Sequence, residues 1–178
     1  MNTLEAIAKR RSTRAYLPRQ IPEEVLDTIL KAAAAAPIAM AKYDRLHITV
    51  IQNGEMIAQI NELSADFFFK RTGMRKNMDF GAKTMIFVST DPTAFSPEMA
   101  YSNVGIVVEN MVLAATDLGI SSVVLGGAPS IVAQHAELVR ALGIPEGFKP
   151  VLGAAFGYAV DDEIAMAAKD HTITVNRV

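Results

Sequence analysis

Apolar residues recur along this chain with two spacings, near 3.6 and near 2, and these divide it into helices and strands. Asn2 followed by Glu5 carries the signature of a capping box and opens a helix that runs to about Lys9. Residues 17–20 read as a linker. Pro22 at a first helical position, backed by Glu23 and Glu24, starts a second helix that ends in the alanine run 32–36 before Pro37. After an irregular stretch, Leu46–Ile51 alternates as a strand. Residues 54–69 form a third helix, followed by a polar, basic loop over 70–79. Thr84–Thr90 is a strand bounded by turn residues.

The longest helix is expected from Pro97 to about Leu118. It is apolar over much of its circumference: Val104, Ile106, Val107, Val108, Met111, Val112 and Leu113. Such a helix is buried on several sides, as a central helix, a subunit interface, or both. Ser121–Leu125 reads as a strand leading into Gly126 and Gly127. Residues 131–142 form a helix stopped at Gly143, with Pro145 just beyond. Strands follow over 151–160 and, briefly, 173–175. Strands alternating with helices give a sheet covered by helices, of the α/β or α+β class.

Composition narrows the functions. The 178 residues, 51% of them hydrophobic and 20% charged, suit one compact domain over 1–178 with a substantial core. A net charge of −2 gives no electrostatic support for a nucleic-acid partner. The chain has no cysteine, which excludes disulfides, thiolate metal sites and a Cys nucleophile. No apolar run approaches a membrane span, and the first twelve residues read as a capped amphipathic helix rather than a signal peptide. A cytoplasmic location is the expectation.

Candidate chemistry centres on KRRSTR, residues 9–14. Arg guanidinium groups match phosphate oxygens with fixed, forked donors, and Ser or Thr hydroxyls complete such a shell. The same residues also suit the C-terminal end of a helix, whose dipole favours cations, and spacing alone leaves both readings open. Familiar nucleotide fingerprints are missing, and Gly126-Gly127 is weak evidence by itself. His47, His135 and His171 are scattered without ligand spacing, so no metal site is expected. The basic loop 70–77 suits a solvated surface, or the rim of a pocket that draws in phosphates.

The order of short motifs decides between them. RRSxRxY is followed by a Pro-Glu-Glu helix and AAPIAM, then by DFGAKTMIFVS, NVGIVVENMVLAATDLGISS with LGG, and GIPEGFKPVLGAAFGYA. In that order the chain resembles the FMN-dependent nitroreductase family from Leu4 to about Tyr158. The resemblance implies an α+β fold of the three-layer sandwich type, with a mixed, mostly antiparallel sheet flanked by helices. It also implies a homodimer with FMN at the interface. Arg10 and Ser12 would hold the FMN phosphate and ribityl end, with Arg11 in support, and Arg14 would approach the pyrimidine edge. Pro37, Ile38 and Ala39 match the segment that the partner subunit lays against the ring. Gly126 and Gly127 match the turn whose backbone N–H points at flavin N5. Asn77 and Lys169 are further flavin contacts by the same resemblance.

The implied activity is hydride transfer from NAD(P)H through flavin N5 to an electron-poor small-molecule acceptor, a nitroaromatic or a quinone. The alternative on the same scaffold is a flavin carrier or sensor with little turnover. No catalytic acid or base is assigned. The family's frequent P-S-x-x-N-x-Q-P-W segment is replaced by PIAMAKYDRLH, with Ile38, Ala41, Tyr43, Asp44 and Arg45 in the altered places.

Overall fold

In a computed structural model, residues 1–161 and 173–178 are described. Helix α1, Thr3–Lys9, begins with the full capping box: Asn2 Oδ1 accepts from Glu5 N at 3.0 Å and Glu5 Oε2 accepts from Asn2 N at 3.1 Å. Helix α2 spans Glu23–Ala34, with Pro22 as its N-cap rather than its first residue. Then come β1 (Leu46–Ile51), α3 (Gly54–Thr72) and β2 (Thr84–Thr90). Gly73 stops α3 in the left-handed conformation, φ 71°, which a residue without Cβ adopts at no steric cost. Helix α4 covers Pro97–Asp117 and β3 covers Ser121–Leu125.

The helix expected over 131–142 is two helices, α5 (Gly127–Val132) and α6 (Ala136–Ala141). The break has a packing reason. Val132 and Leu138 belong to one core cluster, yet six residues apart on a continuous helix they would point about 120° apart. Gln134 Nε2 donates to the Ser130 carbonyl, satisfying part of the interrupted end. Strand β4 spans Lys149–Gly157. Residues 173–175, expected as a strand, carry no strand pairing, and Ile173 and Val175 are exposed.

The sheet order is β1-β2-β4-β3, with every neighbouring pair antiparallel. A parallel element comes from the N-terminal segment, where Ser12 bridges Ser122 on β3. Alternation along β2 sends Ile86 and Val88 into one cluster, with α2 and α4, and Met85 and Phe87 into the other, with α3, α5 and α6. Both faces of the sheet are therefore covered, giving three layers. Helix α4 lies between α2 and the sheet, which accounts for its apolar circumference, although Ile106 and Tyr101 stay exposed. Gly153, at the sheet centre opposite Phe87 and Leu125, has no room for a side chain. A Cβ there would lie 2.4 Å from the Ile86 carbonyl oxygen.

Candidate functional site

After α1 the chain crosses the end of the sheet. Thr13 N donates to Ser122 O at 2.9 Å beside β3. Tyr16 N then donates to Phe80 O at 3.2 Å, and Leu17 N to Tyr158 O at 2.8 Å just past β4. Residues 12–17 thus tie together β3, the loop before β2 and the end of β4. Ser12 and Arg14 are exposed and Arg10 is half-buried. The Arg14 guanidinium donates to the Ser12 carbonyl at 3.3 Å.

Arg11 faces a cleft of about 390 Å³, shared with Lys9, Thr13, Ser121 and Ser122 and lined by no acidic residue among those described. An anion entering it meets two long cations and several hydroxyls, the donor chemistry that suits phosphate. Lys9 and Thr13 lie in the KRRSTR stretch, but their alignment with Ser121 and Ser122 depends on a pairing 110 residues apart in the chain that sequence reasoning did not give. At the other end of β3, roughly 13 Å away at ~3.3 Å per residue, come Gly126 and Gly127. The N–H of Gly127, first in α5, has no acceptor within its own helix.

The loop between α3 and β2 reaches both regions. Asn61 Oδ1, nine-tenths buried on α3, accepts from Met78 N at 3.2 Å and Asp79 N at 3.1 Å. Phe80 and Gly81 turn the loop with φ of 53° and 89°, presenting the carbonyl that Tyr16 N meets. Met78 also packs against Gly127, where a Cβ would stand 3.1 Å from its terminal methyl. Asn77 is exposed in the same loop, next to Met78. A further participant is Val124: paired with Ala154, it shares the α4-facing side of the sheet, yet is 38% exposed. That leaves an apolar strand position open between the arginine segment and the glycines.

Tyr16 lies under the site. Its ring packs on Gly157, where a Cβ would lie 3.0 Å from Cδ1, and its hydroxyl is buried without a partner among the described residues. Burial pushes the phenol above its usual range, with the charge of Arg14 opposing in part.

Pro37, Ile38 and Ala39 are held on the α4 side of the molecule. Ile38 is buried in the α2–α4 cluster, and Ala39 N donates to Asn103 Oδ1 at 3.2 Å. Pro37 is exposed and Ala39 half-buried, so these two present the segment outward. Lys169 lies outside the described residues.

A profile of the Nitroreductase family matches residues 7–158. A protein of Archaeoglobus fulgidus, assigned by name to NADH dehydrogenase/NAD(P)H nitroreductase, is 35% identical over 169 residues, covering 94% of this chain and 91% of that one. Among solved structures, an FMN-bound nitroreductase from Bacteroides fragilis is 30% identical with TM-score 0.81, over 100% of this chain and 97% of its own. An FMN-bound nitroreductase from Desulfitobacterium hafniense is 27% identical with TM-score 0.82, over 99% and 100%.

Proposed function

This chain belongs to the nitroreductase family, and on that footing we propose that it is an FMN-dependent oxidoreductase. It takes electrons from NAD(P)H and passes them to an electron-poor acceptor such as a nitroaromatic or a quinone. One observation carries the reading: the Ser12–Ser122 pairing sets the arginine segment beside the strand that delivers Gly126 and Gly127. Cations and hydroxyls at one end, an open Val124 and bare backbone at the other, with no carboxylate lining the cleft among the described residues, form a donor set that fits FMN.

When bound, FMN supplies a ring that takes up and returns a hydride. Arg10 and Ser12 would hold its phosphate through charge-assisted hydrogen bonds, and Arg11 and Lys9 would add positive charge from the adjoining cleft. Arg14 would lie toward the pyrimidine edge, where a fixed cation favours negative charge on the ring. Gly126 and Gly127 let backbone N–H groups come close, because no Cβ intervenes. Asn77 contributes from the loop held by Asn61. Pro37 and Ala39, held on the α4 side, act in the site of a second copy, so a homodimer completes the binding site. The buried, protonated Tyr16 is unsuited to shuttling protons at neutral pH, and water serves as the proton source.

The test is an absorbance spectrum of the purified protein after FMN addition and desalting, followed by anaerobic NADPH and then NADH. Flavin bands that stay with the protein and bleach support the oxidoreductase and show its preferred nucleotide. Retained flavin that neither nucleotide bleaches favours a carrier or sensor instead. Protein that retains no flavin refutes the proposal.

A further inference from the structure

Between α2 and β1 the backbone does something costly. Met40 and Ala41 are successive non-glycine residues with φ of 55° and 52°. Left-handed residues persist only where their surroundings hold them. Here the surroundings are three side chains. Ile38 is buried in the core, Tyr43 Oη donates to the Ala36 carbonyl at 3.1 Å, and Asn103 Oδ1 accepts from Ala39 N at 3.2 Å.

Asn103 is the unusual member. It is 3% exposed on a helix whose other buried positions there, Ala100, Val104 and Val107, are apolar. Its Nδ2 is buried with no partner among the described residues. A side chain needed only for volume would be apolar, since an unmet buried donor is destabilising. The amide accounts for its place by the one acceptor it offers, to the N–H of Ala39.

We infer that Asn103 is a positioning residue. Acting through Ala39, and braced from outside by Tyr43, it fixes the 37–41 segment in the shape that Pro37 and Ala39 present to the acceptor side of the flavin site in a second copy. This rests on the proposed function, since it takes flavin to lie against that segment.

The test compares wild type with Asn103→Leu, which keeps the volume and loses the acceptor, Asn103→Asp, which restores an acceptor oxygen, and Tyr43→Phe. Three quantities are read: hydrogen exchange at Ala39 N–H by NMR, FMN affinity by fluorescence quenching, and kcat and KM with 4-nitrobenzoate. In Asn103→Leu, Ala39 exchange is expected to quicken at least tenfold. KM for the nitroaromatic rises three- to tenfold while kcat stays within twofold. Asn103→Asp recovers part of both, and Tyr43→Phe shifts both in the same direction by less. Unchanged Ala39 exchange overturns the anchoring. Faster exchange with unchanged KM and FMN affinity overturns the link to the pocket. If Asn103→Leu does not fold, Tyr43→Phe, altered at an exposed position, decides by the same criteria. Wild type that holds no FMN refutes the oxidoreductase reading and the pocket link with it, before any variant is made, while Ala39 exchange still judges the anchor.

Discussion

Tyr16→Phe removes one oxygen from beneath the candidate site and leaves the ring that packs on Gly157 in place. That oxygen is buried and meets no hydrogen-bond partner among the described residues. A hydroxyl in that condition costs about 1–3 kcal/mol relative to its hydrated state, so the variant is expected to be more stable by roughly 1–2 kcal/mol at pH 7. For a chain of this size that corresponds to a rise in Tm of about 2–8 °C. The gap should depend on pH in one direction. Burial holds the folded phenol above its usual range, whereas the unfolded phenol ionises near pH ~10. Above that pH the unfolded state gives up its proton first, and wild type loses stability at about 1.4 kcal/mol per pH unit. Phenylalanine lacks this loss, so the two curves run parallel below pH ~10 and diverge above it. Urea denaturation followed by circular dichroism, from pH 7 to the alkaline limit of the protein, measures this. A variant less stable than wild type at pH 7 refutes the reasoning, because the hydroxyl must then have a partner. A gap that reverses only when FMN is present would assign that partner to the cofactor.

Three further substitutions probe the scaffold and the site. Gly153→Ala forces a methyl to within 2.4 Å of the Ile86 carbonyl and 2.7 Å of Phe87 Cδ1, both deep in the sheet. It should lose about 3 kcal/mol, or ~6–12 °C in Tm, in a thermal melt, and an unchanged Tm would mean the strands can slide apart. Arg10→Ala and Arg14→Ala each remove a charged hydrogen bond worth about 1.5–3 kcal/mol, so FMN affinity should fall roughly ten- to hundredfold in a quenching titration. Only Arg14→Ala should also slow bleaching by NADPH in stopped-flow, and equal effects would remove the distinction drawn between the two. Asn61→Ala orphans the N–H groups of Met78 and Asp79, at about 2 kcal/mol. Amide exchange at both positions should accelerate together, while exchange in β2 stays slow.

The strands were legible because their patterns are local. β1, β2 and β3 have the bounds that alternation and flanking turn residues suggest, and β2 reads as a continuous apolar run because both its faces are covered. The capping box at Asn2 is equally local. The break at 133–135 was not legible, since its cause is a shared core that Val132 and Leu138 must both reach. Residues 173–175 have strand-like composition but no strand beside them among the described residues. Within the site, Arg10, Ser12 and Arg14 stood out by residue type. Val124, Asn61 and Asn103 did not, because each matters through a neighbour elsewhere in the chain. An Asn inside a helix pattern looks like any solvated polar residue until the backbone N–H it serves is seen.

β3 lies at the border of the sheet, and the Ser12 bridge covers only its beginning. A border strand with Val123 and Val124 near its middle is a template on which another copy's extended segment can add. Arg10 and Arg14 sit on the segment that covers its start, and cations beside a border strand disfavour pairing with an identical border on an approaching molecule. The residues proposed to bind the cofactor thereby also disfavour edge-to-edge addition of another strand. Replacing them with alanine unguards the border, and insoluble protein from such variants reflects colloidal failure rather than loss of flavin. Replacing them with lysine keeps the repulsion and discards only the forked geometry, which separates the two duties of one short stretch.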